Sequence, residues 1–535
     1  MDYDYIVVGS GPSGAMAAQT LVEAGKQVAL VDVGVTGKDY ESFLPNAGFE
    51  ALRRNDVNQH RYLLGDAFES VDWDGVKVGA QLTPARKHLV KDVNTLIPMI
   101  SDTFFPMESM AYGGLGSGWG LGTYVYSDSE LTRARLNPQA MRESYQVVSD
   151  RIGIATGHDD ISSFVTGSLE NTQPPLTMDN STTRLLAAYT RKKTQLNRRG
   201  IFMGNPSMAL LSQAHDGRRG TNYHDMDFYS DRGESAYRPW ITINRLKQHP
   251  NFTYLGNLLA LRFVEDETET TLHVKNVQTA AHQTITCRKL ILTAGVLGSA
   301  RIVLRSFQGA VKRLPILSNP YVYMPTLHLR MFGTPLSDEK TSMAQAFMFY
   351  DVHGNGDELV SMAIYTYRSL LLYKLIKEAP LNFADGLGVF RALQSALMIV
   401  GIHHPDSFSP NKYLSLVDKP DSFTGDALFA QYELSNAETK TIQQREKMIR
   451  AVFRSMGCFP LRRIQPGHGG SIHYAGSLPF STNKTPGSTH PSGRLHGTRR
   501  VFVADGSSFT YLPAKGITLT LMANAHRTAK EALDG

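Results

Sequence analysis

The sequence predicts an α/β protein in which a dinucleotide-binding domain is joined to a second, substrate-side domain built on an antiparallel sheet flanked by helices. Three observations predict it. A strand, a glycine turn, a helix and a second strand open the chain; a buried strand at Lys289-Leu-Ile-Leu-Thr ends in small residues and enters a helix; and alternating strands fill the stretch from about Leu314 to Met456.

The opening stretch carries the most information. Asp4-Tyr-Ile-Val-Val-Gly9-Ser-Gly11-Pro12-Ser13-Gly14 spaces its glycines as G-x-G-x-x-G, and Val28-Ala-Leu-Val-Asp32 closes a second strand on an acid about eighteen residues further on. Gly9 permits the sharp turn off the strand, Gly11 lets a pyrophosphate approach the backbone, and Gly14 lets the helix pack closely on the sheet. The helix that opens at Pro12 and Ser13 turns unpaired N–H groups and the positive end of its dipole toward the diphosphate. Asp32 is placed to accept hydrogen bonds from the ribose of the adenosine half.

A second glycine block follows at Ala111-Tyr-Gly113-Gly114-Leu-Gly116-Ser117-Gly118-Trp119-Gly120-Leu-Gly122. Such density strips side chains where the backbone passes close to something flat or bulky, most simply the cofactor's ring system. Tyr112, Leu115, Trp119 and Leu121 are poor linker residues. From Asn251 a β-meander leads into the Lys289 strand, where Ala294 and Gly295 again point to close approach near the cofactor. Within the second domain, Asn436 to Gly457 reads as a helix with Asn436 as N-cap and Gly457 as C-cap. The last eighty residues hold Gly469-Gly-Ser-Ile-His473, the strand ending Val-Ala-Asp505-Gly506-Ser507, then Lys515-Gly516-Ile-Thr518 and a final helix, Leu521 to Leu533.

With 535 residues the chain exceeds one compact core, and 42% hydrophobic with 19% charged content excludes a disordered chain. A net charge of +6 is spread along the sequence, so no nucleic-acid surface is expected. Cys287 and Cys458 lie far apart in unrelated contexts, which excludes a disulfide framework and fits a reducing, cytoplasmic setting. No metal site is expected: the His403-His404 pair lacks further ligands at usual spacings. No secretion signal precedes the first strand and no run is long enough to span a membrane; Gly388 to Ile402 is too short and is expected as a packed helix or cavity wall.

These blocks, in this order, resemble the glucose-methanol-choline (GMC) family of flavin oxidoreductases over nearly the whole chain. The resemblance rests on the N-terminal fingerprint, the Gly-Gly-Leu-Gly-Ser-Gly-Trp loop, Ala-Gly-Val-Leu-Gly-Ser-Ala-Arg, the histidine block at 473, and Val-Ala-Asp-Gly-Ser with the closing Thr-Leu-Thr-Leu-Met-Ala-Asn-Ala. It implies FAD, and an FAD-binding domain assembled from discontinuous segments: 1–313, with excursions around 36–105 and 150–235, and 457–535, enclosing a substrate domain at 314–456. It implies oxidation of an alcohol to a carbonyl by hydride transfer to flavin N5, with His473 as general base. The glycine loop is most similar to the pyranose-oxidase branch, where a histidine just before the tryptophan can join the flavin covalently. Gly118 stands there, so non-covalent FAD is expected.

The family's second catalytic position, four residues before Thr520, falls on Gly516. Two readings of that gap stay open: Lys515 supplies a polar group beside His473, or Lys515 is a surface residue, Gly516 makes room for substrate, and His473 acts alone. Resemblance to the sugar-oxidising branch implies a sugar, glycoside, amino sugar or cyclitol. An aromatic or terpenoid alcohol is the alternative, given Phe347, Phe349, Tyr365 and Tyr367, as is a lyase on the same scaffold with no net redox change. The electron acceptor, dioxygen, a quinone or a haem protein, stays open.

Overall fold

The computed structural model describes residues 2–534 except 45–46, 48–50, 53–54, 59, 64, 66–83, 224–232, 335–336, 338–340, 342, 367–379, 383, 387–388 and 390–392. Tyr367 and most of the front of the 388–402 run lie outside the described residues.

Strand β1 (Tyr3–Val8), helix α1 (Pro12–Glu23) and strand β2 (Val28–Val31) form the first unit, and β1 pairs with β2 in parallel. The apolar run Ile6-Val7-Val8 is buried on both faces, as a parallel strand covered by helices must be. Strands β3 (Phe252–Leu255), β4 (Leu258–Glu265), β5 (Thr270–Asn276) and β6 (His282–Leu292) extend the sheet. β3 adds in parallel outside β2, the end of β6 pairs in parallel with β1 on its other side, and Val501–Val503 adds in parallel beside β6. Helix α2 (Gly295–Ser306) leaves the end of β6. The strand order reverses direction at β1, and the carboxyl ends of β1, β2 and β6 open there, the place where such sheets take ligands.

The second sheet is antiparallel. It runs through β7 (Tyr321–His328), β8 (Ala346–Asp351), β9 (Leu359–Tyr365) and β10 (Leu397–His403), with β11 (Cys458–Pro460) at one edge and Ile201–Gly204 at the other. Residues 397–403 are thus a strand rather than a helix. The sheet has two working faces. Val322, Met324, Met348, Met362, Val400 and Ile402 pack against helix α3 (Asn436–Ser455) and the Asn180–Asn197 helix. The alternate residues Tyr321, Tyr323, Phe347, Ser361, Ala363, Tyr365 and His403 turn to a cavity between this sheet and the first. Helix α3 is capped one residue earlier than Asn436: the Ser435 hydroxyl accepts the Glu438 N–H, and the Glu438 carboxylate accepts the Ser435 N–H.

The final helix α4 (Thr518–Asp534) returns to the first unit. Tyr5 Oη donates to the Ala532 carbonyl at 3.0 Å, and Thr20 Oγ1 lies 2.8 Å from His526 Nδ1. Asn524 and His526 are therefore held in the core of the first domain. Among the described residues no helix is long and apolar enough to cross a membrane, and no cluster could hold a metal ion. Cys287 and Cys458 are both buried and unpaired as a disulfide.

Candidate active site

One cavity runs from Asp32 at the end of β2, past the glycine turns, to His473 and the face of the second sheet. Three helix N-termini open onto it: Gly11, Pro12 and Ser13 at α1, Gly295 at α2, and Thr518 at α4. Gly11 caps α1 with no side-chain hydrogen bond, so its first-turn N–H groups remain for an anion.

The glycines divide as their spacing suggested. Gly9 holds a φ of +99°, which only glycine adopts freely. A Cβ on Gly14 would lie 1.8 Å from the Gly9 carbonyl oxygen, whereas one on Gly11, Gly120 or Gly295 would meet nothing within 4 Å. The first is a packing glycine; the others leave backbone bare toward the cavity. Gly113, Gly14 and Ser117 do not line the cavity: the Gly113 N–H donates to Ser10 Oγ at 2.8 Å and Ser117 Oγ donates to the Tyr112 carbonyl at 2.7 Å. Ser10 Oγ donates in turn to the Asp32 carboxylate, so one hydroxyl ties both glycine loops to the acid. Asp32 also accepts from Tyr254 Oη at 3.2 Å, and burial pushes its pKa up to about 6. Asp505 accepts from Ser299 Oγ at 2.7 Å and the Ser507 N–H at 2.9 Å, with its carboxyl raised by burial.

These residues fit an FAD. The open glycines border the length of the cavity, the bare α1 terminus suits a diphosphate, and the Asp32 carboxylate suits a ribose. A Cβ on Gly118 would lie 2.5 Å from Leu89 Cδ1, so a larger residue there would have to displace the end of that side chain.

At the far end, His473 sits after a turn in which Ile472 takes a φ of +61°, a left-handed conformation unusual for a β-branched residue. Tyr474–Ala475 pairs antiparallel with Leu317–Ser318, Ser318 opposite Tyr474, so Asn319 comes opposite His473. Asn319 Oδ1 lies 3.1 Å from His473 Nδ1. The His403 ring stacks on His473 at 4.9 Å and 22°, and Tyr321 lies tilted against His403 at 4.6 Å. Burial pushes His473 down to about 4 and His403 well below the usual histidine range, so both imidazoles are neutral near pH 7.

Residues 4–152 match the family model for an FAD binding domain, and residues 433–525 match the model described as GMC oxidoreductase. The chain thus carries an FAD-binding domain and a C-terminal GMC oxidoreductase domain. Solved structures with this fold include pyridoxine 4-oxidase from Mesorbium loti, at 14% identity and a TM-score of 0.61, covering 100% of both chains. Another is an FAD-dependent oxidoreductase from Chaetomium thermophilum in complex with a butanamide fragment, at 12% identity and a TM-score of 0.58, covering 100% of this chain and 99% of that one. No curated protein matches the chain.

Lys515 is neither at the surface nor part of the cavity wall that holds His473. Its side chain is fully buried, its ammonium donating to Glu130 Oε2 at 2.6 Å and the Val125 carbonyl at 3.0 Å, and it does not line the cavity. A strong acceptor set draws it away from His473 and from the surface alike. Gly516 does line the cavity, but the space a side chain would take is filled by Tyr124, whose ring carbons lie 2.7 Å from a Cβ built there. The ring of Tyr124 therefore packs directly on this glycine. The residues that do stand around His473 are Asn319 and His403, which sequence reasoning passed over. The alternation of Tyr321, Tyr323 and His403 along strands was the available signal; only the pairing of Tyr321 with His403 across β7 and β10 brings them to one face.

Proposed function

We propose that this enzyme oxidises an uncharged, ring-bearing primary or secondary alcohol, with aromatic alcohols as the leading class, to the corresponding carbonyl compound. The observation that carries the proposal is a neutral imidazole, His473, placed in the same cavity as the glycine turns and Asp32, against a wall of aromatic rings. His473 takes the hydroxyl proton, and FAD bound along the cavity supplies the acceptor for the hydride that leaves the carbinol carbon. FAD is held non-covalently: Gly118 offers no attachment atom, and binding is left to the glycine turns, the α1 terminus, Asp32 and the amides around Asp505.

The charged and aromatic lining of the cavity supports this substrate class. Among the described residues, every charged side chain lining it has its own partner: Asp32 with Ser10 and Tyr254, Glu108 with Arg301 at 2.5 Å, Arg305 with Asp426 at 2.6 Å, and Asp505 with Ser299. A polyol needs a partner for each buried hydroxyl. The wall instead offers Tyr321, Tyr323, Tyr365, Phe347 and Tyr124, the last stacked on Phe347 at 4.8 Å and 25°. Such a slot favours a planar ring, with tyrosine hydroxyls for a few polar substituents.

The test is an anaerobic panel of benzylic and heteroaromatic alcohols, pyridoxine included, against sugars and cyclitols, read by loss of the visible flavin band and followed by admission of air. Bleaching by the aromatic set, slowed about 10²–10⁴-fold in His473→Gln with FAD retained, is the expected result. Bleaching by sugars alone overturns the substrate class; a product formed with the flavin still oxidised overturns the redox role.

A further inference from the structure

Asn319 belongs to neither glycine loop and to none of the motifs that mark the FAD site, yet its amide is held on both sides beside His473. Its Nδ2 donates to the carbonyl oxygens of His404 at 2.8 Å and Pro513 at 3.0 Å, with Leu512 at the 3.5 Å limit. Those carbonyls come from two separate parts of the chain, the end of β10 and the segment leading to α4. A carbonyl oxygen cannot face other carbonyl oxygens without loss, so the amide cannot be turned over. Oδ1 is thereby forced toward His473 Nδ1, 3.1 Å away, and an amide oxygen only accepts.

The backbone that carries Asn319 is itself fixed. The Ser318 N–H donates to Asp406 Oδ2 at 2.8 Å, and the Ser318 carbonyl accepts from Tyr432 Oη at 2.7 Å. Tyr432 Oη also approaches Asp406 Oδ2 at 2.8 Å, and fully buried Lys412 donates to Asp406 Oδ1 at 2.6 Å. The Asp406 N–H donates back to the Leu512 carbonyl. A buried carboxylate with this many donors is costly to desolvate and persists where geometry must be held. On the other strand, Ser471 Oγ accepts the His473 N–H at 3.3 Å and lies 3.3 Å from Ser318 Oγ.

We infer that Asn319 is a positioning residue that fixes His473 as its Nδ1–H tautomer, leaving the Nε2 lone pair as the base that faces the alcohol. The inference rests on the reading of His473 as base and goes beyond it, because it states which nitrogen works and what holds it so. The His403 ring stacked at 4.9 Å restrains the remaining freedom, tilt of the imidazole about its bond to Cβ. The proton accepted by Nε2 leaves an imidazolium whose Nδ1–H already has its acceptor, so proton transfer requires no rearrangement at Asn319.

The wild-type holoenzyme, labelled with nitrogen-15 histidine, gives the direct test, with His473 assigned by its disappearance in His473→Gln. A protonated Nδ1 and an unprotonated Nε2 at pH 7 are expected, a measurement that needs no substrate. The companion variant is Asn319→Leu, close to asparagine in shape and without an acceptor. It is expected to lose the single tautomer and to slow anaerobic flavin reduction about 10²-fold, with the alcohol concentration for half-saturation changed by less than about 3-fold. An Nε2–H tautomer in the wild type overturns the inference, as does an Asn319→Leu enzyme that keeps one tautomer and the wild-type reduction rate. Should no alcohol reduce the wild-type flavin while the tautomer is as stated, the functional reading fails and the assignment of Asn319 stands.

Discussion

Replacing Lys515 with Met separates a structural ammonium from a catalytic one. Lys515 and Glu130 are buried together, 0% and 1% exposed along their side chains, with Nζ 2.6 Å from Oε2. Removing the ammonium leaves the carboxylate, among the described residues, with the Ser127 N–H at 2.8 Å. Breaking a buried pair from one side typically costs about 3–5 kcal/mol. At about 2–4 °C per kcal/mol for a cooperative unit of 150–250 residues, the midpoint should fall by roughly 6–20 °C. Lys515→Met with Glu130→Gln removes both charges while the amide oxygen can still accept from Ser127, and should recover most of the loss. The assay is thermal melting of the holoenzyme by flavin fluorescence, paired with kcat on the fraction that retains FAD. A double variant no more stable than Lys515→Met refutes the pairing argument. A kcat more than about 10-fold down in the double variant, with FAD retained and melting restored, shows instead that the ammonium reaches the chemistry.

Four further outcomes follow from named contacts. The acid limb of kcat/KM should lie near the pKa of about 4 to which burial holds His473, with the rate flat from there to neutrality; a limb near 6.5 in a pH profile contradicts a buried base. Stability should respond with the same sign. His473 and His526, both pushed down to about 4, contribute fully above about 6.5 and lose that contribution as pH falls toward 4, whereas Asp32, raised from 3.8 to about 6, works in the opposite sense as pH rises through that window. Acid-shifted melting curves that rise continuously from pH 6.5 to 4 would contradict the histidine account. Gly14→Ala places a methyl 1.8 Å from the Gly9 carbonyl oxygen and should abolish FAD retention on purification; a variant that keeps its flavin refutes the packing role. Gly516→Ala meets the Tyr124 ring at 2.7 Å and should cost about 1–3 kcal/mol by overpacking, with Tyr124→Leu relieving it in a denaturation cycle.

The dinucleotide half of this enzyme was legible because each residue there answers to a local rule. Gly9 turns, Gly14 packs and Asp32 ends a strand, and all three can be inferred from positions within a single βαβ unit. The antiparallel character of the second sheet was legible for the same reason, since Phe347 and Phe349 recur at strand spacing and Tyr365 closes the Leu359 strand. What could not be read was pairing across distance. Lys515 was assigned to His473 or to solvent, and its partner turned out to be Glu130, 385 residues away. Asn319 lies 154 residues from His473 and meets it only because Leu317–Ser318 pairs with Tyr474–Ala475. The strand at 397–403 was masked by a preceding run whose apolar length suited a helix equally well.

The contacts between α1, β1 and α4 have a consequence for how the protein comes into being. Thr20 waits for His526, 506 positions later, and Tyr5 waits for the carbonyl of Ala532. At about 5–20 residues per second the ribosome needs roughly 25–100 s to deliver that last helix. Throughout the interval helix α1 lacks the helix that packs on it in the finished fold, so the first βαβ unit reaches its final packing only after synthesis of the closing segment.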